Sequence, residues 1–173
     1  MEKKITSHIT KGLFIVLILA LLDVVAGIWD FKLASWFRWI PTLVLFAAVI
    51  GSSIHYGSQN NYRVSFGDLF AYGFKTTAVV GCLLIFYTLL SIFVLFPETK
   101  EIALQQARSE MERDGKLTEE AINQGLSITR KFFVPFAIAG ALFGTILVGA
   151  LGSLVGAAVT RKNPVSPFET NTK

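Results

Sequence analysis

The sequence predicts an all-α membrane protein with four transmembrane helices, on three observations. Hydrophobic residues make up 53% of the 173 positions, and charged residues only 16%, against roughly 25% in soluble domains. The apolar residues are gathered into four long runs rather than spread at the period of a soluble core. The bases cluster beside those runs, at Lys3, Lys4, Lys11, Arg161 and Lys162. The net charge is +4, and this placement points to lipid headgroups rather than nucleic acid. A lone cysteine, Cys82, forbids an internal disulfide.

The first span covers about residues 12–31 and carries one charge well inside it, Asp23. Lys3 to Lys11 followed by Gly12 to Leu22 has the outline of a secretory signal, with Val24-Val25-Ala26 as its cleavage site. Asp23 interrupts that outline and the apolar run resumes beyond it, so the segment is expected to be a retained helix. The second span covers about 36–56, with Pro41 in its first turn, where a missing N–H costs nothing. Trp29, Trp36 and Trp39 all fall at the connection between these two spans. Indole rings settle at the headgroup level, and the three are read as interfacial anchors.

The polar stretch Gly57 to Arg63 is turn-rich. Ser65-Phe66-Gly67-Asp68 has the S-x-x-D form of a helix cap, and Phe66, Leu69, Phe70, Gly73 and Phe74 follow at helical spacing. A short interfacial helix is expected there, turning into a third span over 74–96 that Pro97 ends. Residues 97–131 then hold about half the charged residues of the chain, both signs mixed. Leu104, Ala107 and Met111 share one face. Asp114-Gly115 is a turn signal, and Thr118-Glu119-Glu120 starts a second helix with Ala121, Ile122 and Leu126 as its stripe. The expectation is a charged helical hairpin outside the bilayer, between the third and fourth spans.

The fourth span, 132–159, is rich in small residues. Ala137, Ala141, Thr145, Gly149, Ser153 and Ala157 recur every four positions, beside Gly140, Gly144, Gly152 and Gly156. Lipid offers no hydrophobic drive between helices, so close backbone approach decides their association. Gly140, Gly144, Gly149, Gly152 and Gly156 are therefore expected at helix contacts, within one bundle or between copies in a homo-oligomer. The tail, 161–173, has a disordered composition. One membrane domain, residues 1–173, accommodates all of this.

The residues that carry a family resemblance run from Phe70-Ala71-Tyr72-Gly73-Phe74-Lys75-Thr76-Thr77 to Phe96-Pro97-Glu98. They continue through Met111, Gly115-Lys116-Leu117-Thr118-Glu119-Glu120 and Phe132-Phe133-Val134-Pro135. With them the chain resembles the bacterial membrane family designated domain of unknown function 4199 over nearly its whole length. The resemblance implies the four-span layout and brings no catalytic residue with it.

Chemistry-bearing patterns are sparse. Asp23, as an acid inside a span, is the intramembrane polar candidate. It reads either as a carboxyl that staples helices or as a proton- or ion-coupling group, with Tyr87 and Thr88 at matching depth. His8 and His55 are far apart and Cys82 stands alone, so no metal-ligand spacing arises. Ser52, Ser53 and His55 share one short segment, the wrong arrangement for a serine nucleophile and base on facing helices. Gly149 to Gly156 lacks the lysine of a phosphate loop, and no cofactor motif appears. The two halves differ in loop length, unlike duplicated transporters. The expected role is a non-enzymatic interaction or structural component, with the bilayer and a protein partner at 97–131 as contacts. It is placed in the bacterial inner membrane with both termini cytoplasmic, following the basic flanks. The alternative is a small transporter or channel subunit using Asp23.

Overall fold

A computed structural model describes residues 6–29 and 37–161, and the described residues are helical throughout, with short turns between helices. Trp36, Lys3, Lys4, Lys162 and nearly all of the 161–173 tail lie outside them. Six helices follow in order: α1 His8–Ile28, α2 Ile40–Gln59, α3 Phe66–Leu90, α4 Thr99–Asp114, α5 Glu119–Lys131 and α6 Phe133–Val159. Four of them, α1, α2, α3 with its extension to Leu95, and α6, are long and apolar enough to cross a membrane. At about 1.5 Å per residue, the 21 residues of α1 match a hydrocarbon core of about 30 Å. The 27 residues of α6 exceed it and are long enough to span with some tilt.

Local chemistry sets the helix ends. Ser7 caps α1, its Oγ accepting from the Ile9 N–H at 3.2 Å. A 3-10 turn over Phe37–Trp39 leads into α2, and Pro41 sits in the first turn of α2. That helix ends in a tight reversal in which the Tyr62 N–H donates to the Gly57 carbonyl at 2.8 Å. Asn61 and Tyr62 there take positive φ, 53° and 60°. At the start of α3 the Asp68 N–H donates to Ser65 Oγ, while the Ser65 N–H and hydroxyl both donate to Asp68 Oδ2. This reciprocal box satisfies the orphan donors of a helix start.

The separate interfacial helix expected before the third span is not a separate element. Phe66–Leu90 is one unbroken helix, so the Ser65–Asp68 box caps the spanning helix itself. Nothing between Phe66 and Leu90 breaks the hydrogen-bond ladder, because the glycines there stay helical. The helix then widens into a π turn, Ser91–Leu95, where the Phe96 N–H reaches back five residues to the Ser91 carbonyl at 2.8 Å. Pro97 follows, with no N–H to continue.

The chain divides into two compact units. One comprises residues up to Leu83 together with those from Gly144 onward, and the other runs from Leu84 to Phe143. In the first, α1, α2, most of α3 and the later half of α6 pack through small residues. A Cβ added to Gly12 would lie 2.6 Å from Val79 Cγ1, and one on Gly156 would lie 2.9 Å from Ser53 Cβ. A Cβ on Gly149 would overlap the Thr77 side chain outright. Leu69, Val49 and Val80 fill the space that remains. The hydroxyls inside return their protons to helix carbonyls: Thr76 to Tyr72, Thr77 to Gly73, Ser153 to Gly149 and Ser53 to Leu69. Among the described residues no buried side-chain N or O lacks a hydrogen-bond partner, as a low-dielectric interior demands.

In the second unit α4 ends on Gly115 in the left-handed region, φ 64°, which suits a residue without Cβ. Thr118 Oγ1 then caps α5 by accepting from the Ala121 N–H. Glu119 and Glu120 lie in the first turn of α5, with Arg130 and Lys131 in its last, each sign matched to the helix dipole.

Candidate functional site

Grooves in both units gather polar groups. In the first unit a groove of about 330 Å³ runs between α1 and α2, lined by Thr6, Lys11, Phe14, Ile15, Ala48, Gly51, Ser52 and His55. The lining positions Lys11, Phe14 and Ile15 share one face of α1. Ala48, Gly51, Ser52 and His55 repeat at i, i+3, i+4 and i+7 along α2, so both walls are single helix faces. The cation sits at the mouth. Lys11 Nζ donates to the Ser52 carbonyl at 3.0 Å and lies 4.6 Å from the centre of the Tyr72 ring, a cation–π distance.

Tyr72 is itself held on several sides. Its ring stacks on Tyr56 at 4.1 Å, and His8 meets it edge-on. The Tyr72 hydroxyl donates to the Thr6 carbonyl at 2.5 Å. Gln59 completes the lock on the N-terminal segment: its Nε2 donates to Thr6 Oγ1 at 2.8 Å and its Oε1 accepts from the Thr6 N–H. The start of α1, the end of α2 and the start of α3 thus meet at one end of this bundle. The last turn of α6 joins them, since a Cβ on Gly57 would touch Thr160.

In the second unit a groove of about 360 Å³ between α4 and α5 is lined by Leu104, Gln105, Arg108, Asn123, Leu126, Ser127 and Arg130. Both arginines are committed to acids. Arg130 grips both carboxylate oxygens of Glu101, at 2.8 and 2.6 Å. Arg108 donates to Glu112 at 2.6 Å and approaches Glu119 at 3.5 Å. The Glu112 hydrogen bond, then the nearby charges of Glu112 and Glu119, raise the Arg108 guanidinium above its ordinary value.

Asp23 lies five residues before the end of α1, about 8 Å along the axis from that end. It is half-buried and engaged in an interaction within the protein. Trp29 and Trp39 flank the first connection with exposed rings, and Trp39 is the residue on which α2 starts. The five glycines of α6 fall into two sets. Gly149, Gly152 and Gly156 face Thr77, Phe46 with Val49, and Ser53 with Ile50, respectively, while a Cβ on Gly140 or Gly144 would meet open space. Among the described residues no three His, Cys, Asp or Glu side chains converge as a metal cage.

Sequence reasoning missed Lys11 as anything but a flanking base. Its spacing to Phe14 and Ile15 on one helix face, with Ser52 and His55 sharing a face of α2, was the available signal.

A family model described as a protein of unknown function (DUF4199) matches residues 8–162. No curated protein and no solved structure matches the chain.

Proposed function

This chain belongs to the DUF4199 family, and from that premise we propose that it is a non-enzymatic multi-pass membrane protein that acts through contacts of its α4–α5 pair. The observation that carries the reading is how that pair is built. Its helices are tied to each other by the two-pronged Arg130–Glu101 contact and by buried Leu104 and Ile122. Ile102 on α4, Ile128 on α5 and Leu117 in the turn between them are exposed. A mixed-sign surface with scattered apolar anchors selects partners by complementarity rather than by chemistry. In this reading the bundle of α1, α2, α3 and α6 is the anchor, and Asp23 is a helix staple near the end of α1.

The proposed setting is the bacterial inner membrane with cytoplasmic termini. Lys11, Arg63 and Arg161 fall at the helix ends nearest the termini, which supports that orientation under the positive-inside rule.

The test uses the full chain in its native membrane. A photo-crosslinking side chain at Gln105 or Asn123 should give a discrete protein adduct, and one at lipid-facing Phe86 should give none. In parallel, the purified protein in proteoliposomes should show no ion or proton flux. Reproducible flux that Asp23→Asn abolishes would overturn the contact reading in favour of a small transporter.

A further inference from the structure

We infer that the groove between α1 and α2 binds an anionic glycerophospholipid, its phosphate against Lys11 and His55 and an acyl chain over Phe14, Ile15, Ala48 and Gly51. Three observations converge on that occupant. The first is uncompensated charge. Among the described residues of this unit the only acids are Asp23 and Asp68. Asp68 is tied into the Ser65 cap, and Asp23 is twelve residues along α1 from Lys11, about 18 Å by helix rise. Within the unit Lys11 is met by a neutral carbonyl and an aromatic face. Both orient an ammonium and neither neutralises it. An ammonium carries three N–H donors, and the Ser52 carbonyl takes one.

The second is the groove's polarity, which changes along its length. Lys11, Thr6 and His55 stand at the end where α1 starts and α2 finishes, and Phe14, Ile15, Ala48 and Gly51 continue inward. From Ala48 to His55 is about 10 Å along the helix. That is an amphiphile's profile: a charged head at headgroup depth and an apolar strip below it. A free anion would use only the mouth.

The third is that the groove opens sideways. Phe14 is 63% exposed, and a Cβ on Gly51 would meet nothing within 4 Å. Both belong to helices read as crossing the bilayer, so the open side faces acyl chains. Basic pockets between spans are suited to anionic head groups for the same electrostatic reason.

Gly51 supplies a clean probe, because a Cβ there meets no atom within 4 Å and Gly51→Leu extends a side chain into the groove. The full-length protein in neutral detergent is melted with added phosphatidylglycerol, phosphatidylcholine or inorganic phosphate. Phosphatidylglycerol should raise the wild-type midpoint by about 5 °C or more near saturation, and the other two should leave it in place. Gly51→Leu should melt at the wild-type midpoint without lipid and lose the phosphatidylglycerol shift. Lys11→Gln should lose it too, and Lys11→Arg should keep it. If Lys11→Gln fails to fold, Gly51→Leu alone decides. A shift of equal size with phosphatidylcholine or with inorganic phosphate, or one that survives Gly51→Leu, overturns the inference.

Discussion

The two halves of α6 look alike in sequence and differ in what surrounds them. Gly140 and Gly144 repeat at four residues, as do Gly152 and Gly156. The later pair, with Gly149 between the pairs, lies against α2 and α3 so closely that a methyl group would collide or press. At the earlier pair a methyl group would meet no atom of the described residues within 4 Å. A small-residue motif therefore states that a close approach is permitted, not that one occurs. Which half is used depends on partner helices with small residues at the same depth. Gly73, Thr77 and Ser53 supply them for the later half, and Gly73 in turn meets Ser53 and Ser153.

Breaking the tight half should have the largest effect in the molecule. Gly149→Leu places a branched side chain where Thr77 already stands, with helix backbones on both sides unable to recede. Overpacking costs typically 1–3 kcal/mol and sometimes more, and here the clash begins at Cβ. The expected outcome is loss of most folded protein, measured as the monodisperse fraction after detergent extraction. Wild-type recovery would show that the helices separate more easily than this geometry allows. A smaller version of the experiment is Gly73→Ala, whose new methyl would press on Ser53 Oγ at 2.5 Å and Ser153 Oγ at 2.8 Å. Those atoms are ends of short side chains that can rotate, at the expense of their own hydrogen bonds. A destabilisation of about 1–2 kcal/mol follows, visible as a lowered melting midpoint.

The α4–α5 pair sharpens the comparison from another side, because its helices meet through an ion pair and buried Leu104 and Ile122, and its glycine, Gly125, leaves a Cβ ordinary clearance of 3.7 Å from Met111. The Arg130–Glu101 contact is two-pronged, but both side chains are more than half exposed. Solvent screening limits such a pair to roughly 0.2–1 kcal/mol. Arg130→Ala should lower the melting midpoint by less than Gly73→Ala does, and added salt should shrink the difference further. A larger loss than that of Gly73→Ala would mean that the pair is structurally central.

Much of this was readable in advance, for reasons tied to particular residues. Four apolar runs of about 20 residues, with Asp23 the one charge well inside any of them, leave few alternatives to spanning helices, and among the described residues, all helices and turns, there are four such helices. The match of a family model to residues 8–162 agrees with the resemblance carried by the Phe70–Thr77 and Phe132–Pro135 segments. Less was legible where three-dimensional neighbours decide. The Ser65–Asp68 box marks a helix start, but the periodicity after it could not tell a separate surface helix from the first turns of a span. The glycine spacing in α6 could not say which side another helix would take. Lys11 read as a flanking charge because its partners, the Ser52 carbonyl and the Tyr72 ring, are 41 and 61 positions away. Asp23 drew attention by composition alone, and only the limits of α1 put it about 8 Å from a helix end.

The smallest expected effect tests the opening comparison most sharply. Gly140→Leu and Gly144→Leu should each leave the melting midpoint within about 0.5 kcal/mol of wild type, since each new side chain extends into open space. Leucine is also the better helix former by up to about 1 kcal/mol, so any shift should be upward. The same substitution at Gly144 and at Gly149, five residues apart along one helix, would then separate an uncontacted glycine from a contact one, with helix and residue type unchanged. A loss comparable to that of Gly149→Leu would show that the earlier half is also in contact, and another copy of the chain is the partner to test first. Crosslinking in the membrane reads that case directly: a dimer band present in wild type and absent in Gly144→Leu would place a second copy on this face. With no dimer band in either, the earlier glycines face lipid, and their pattern records a helix that repeats its composition beyond the length its partners use.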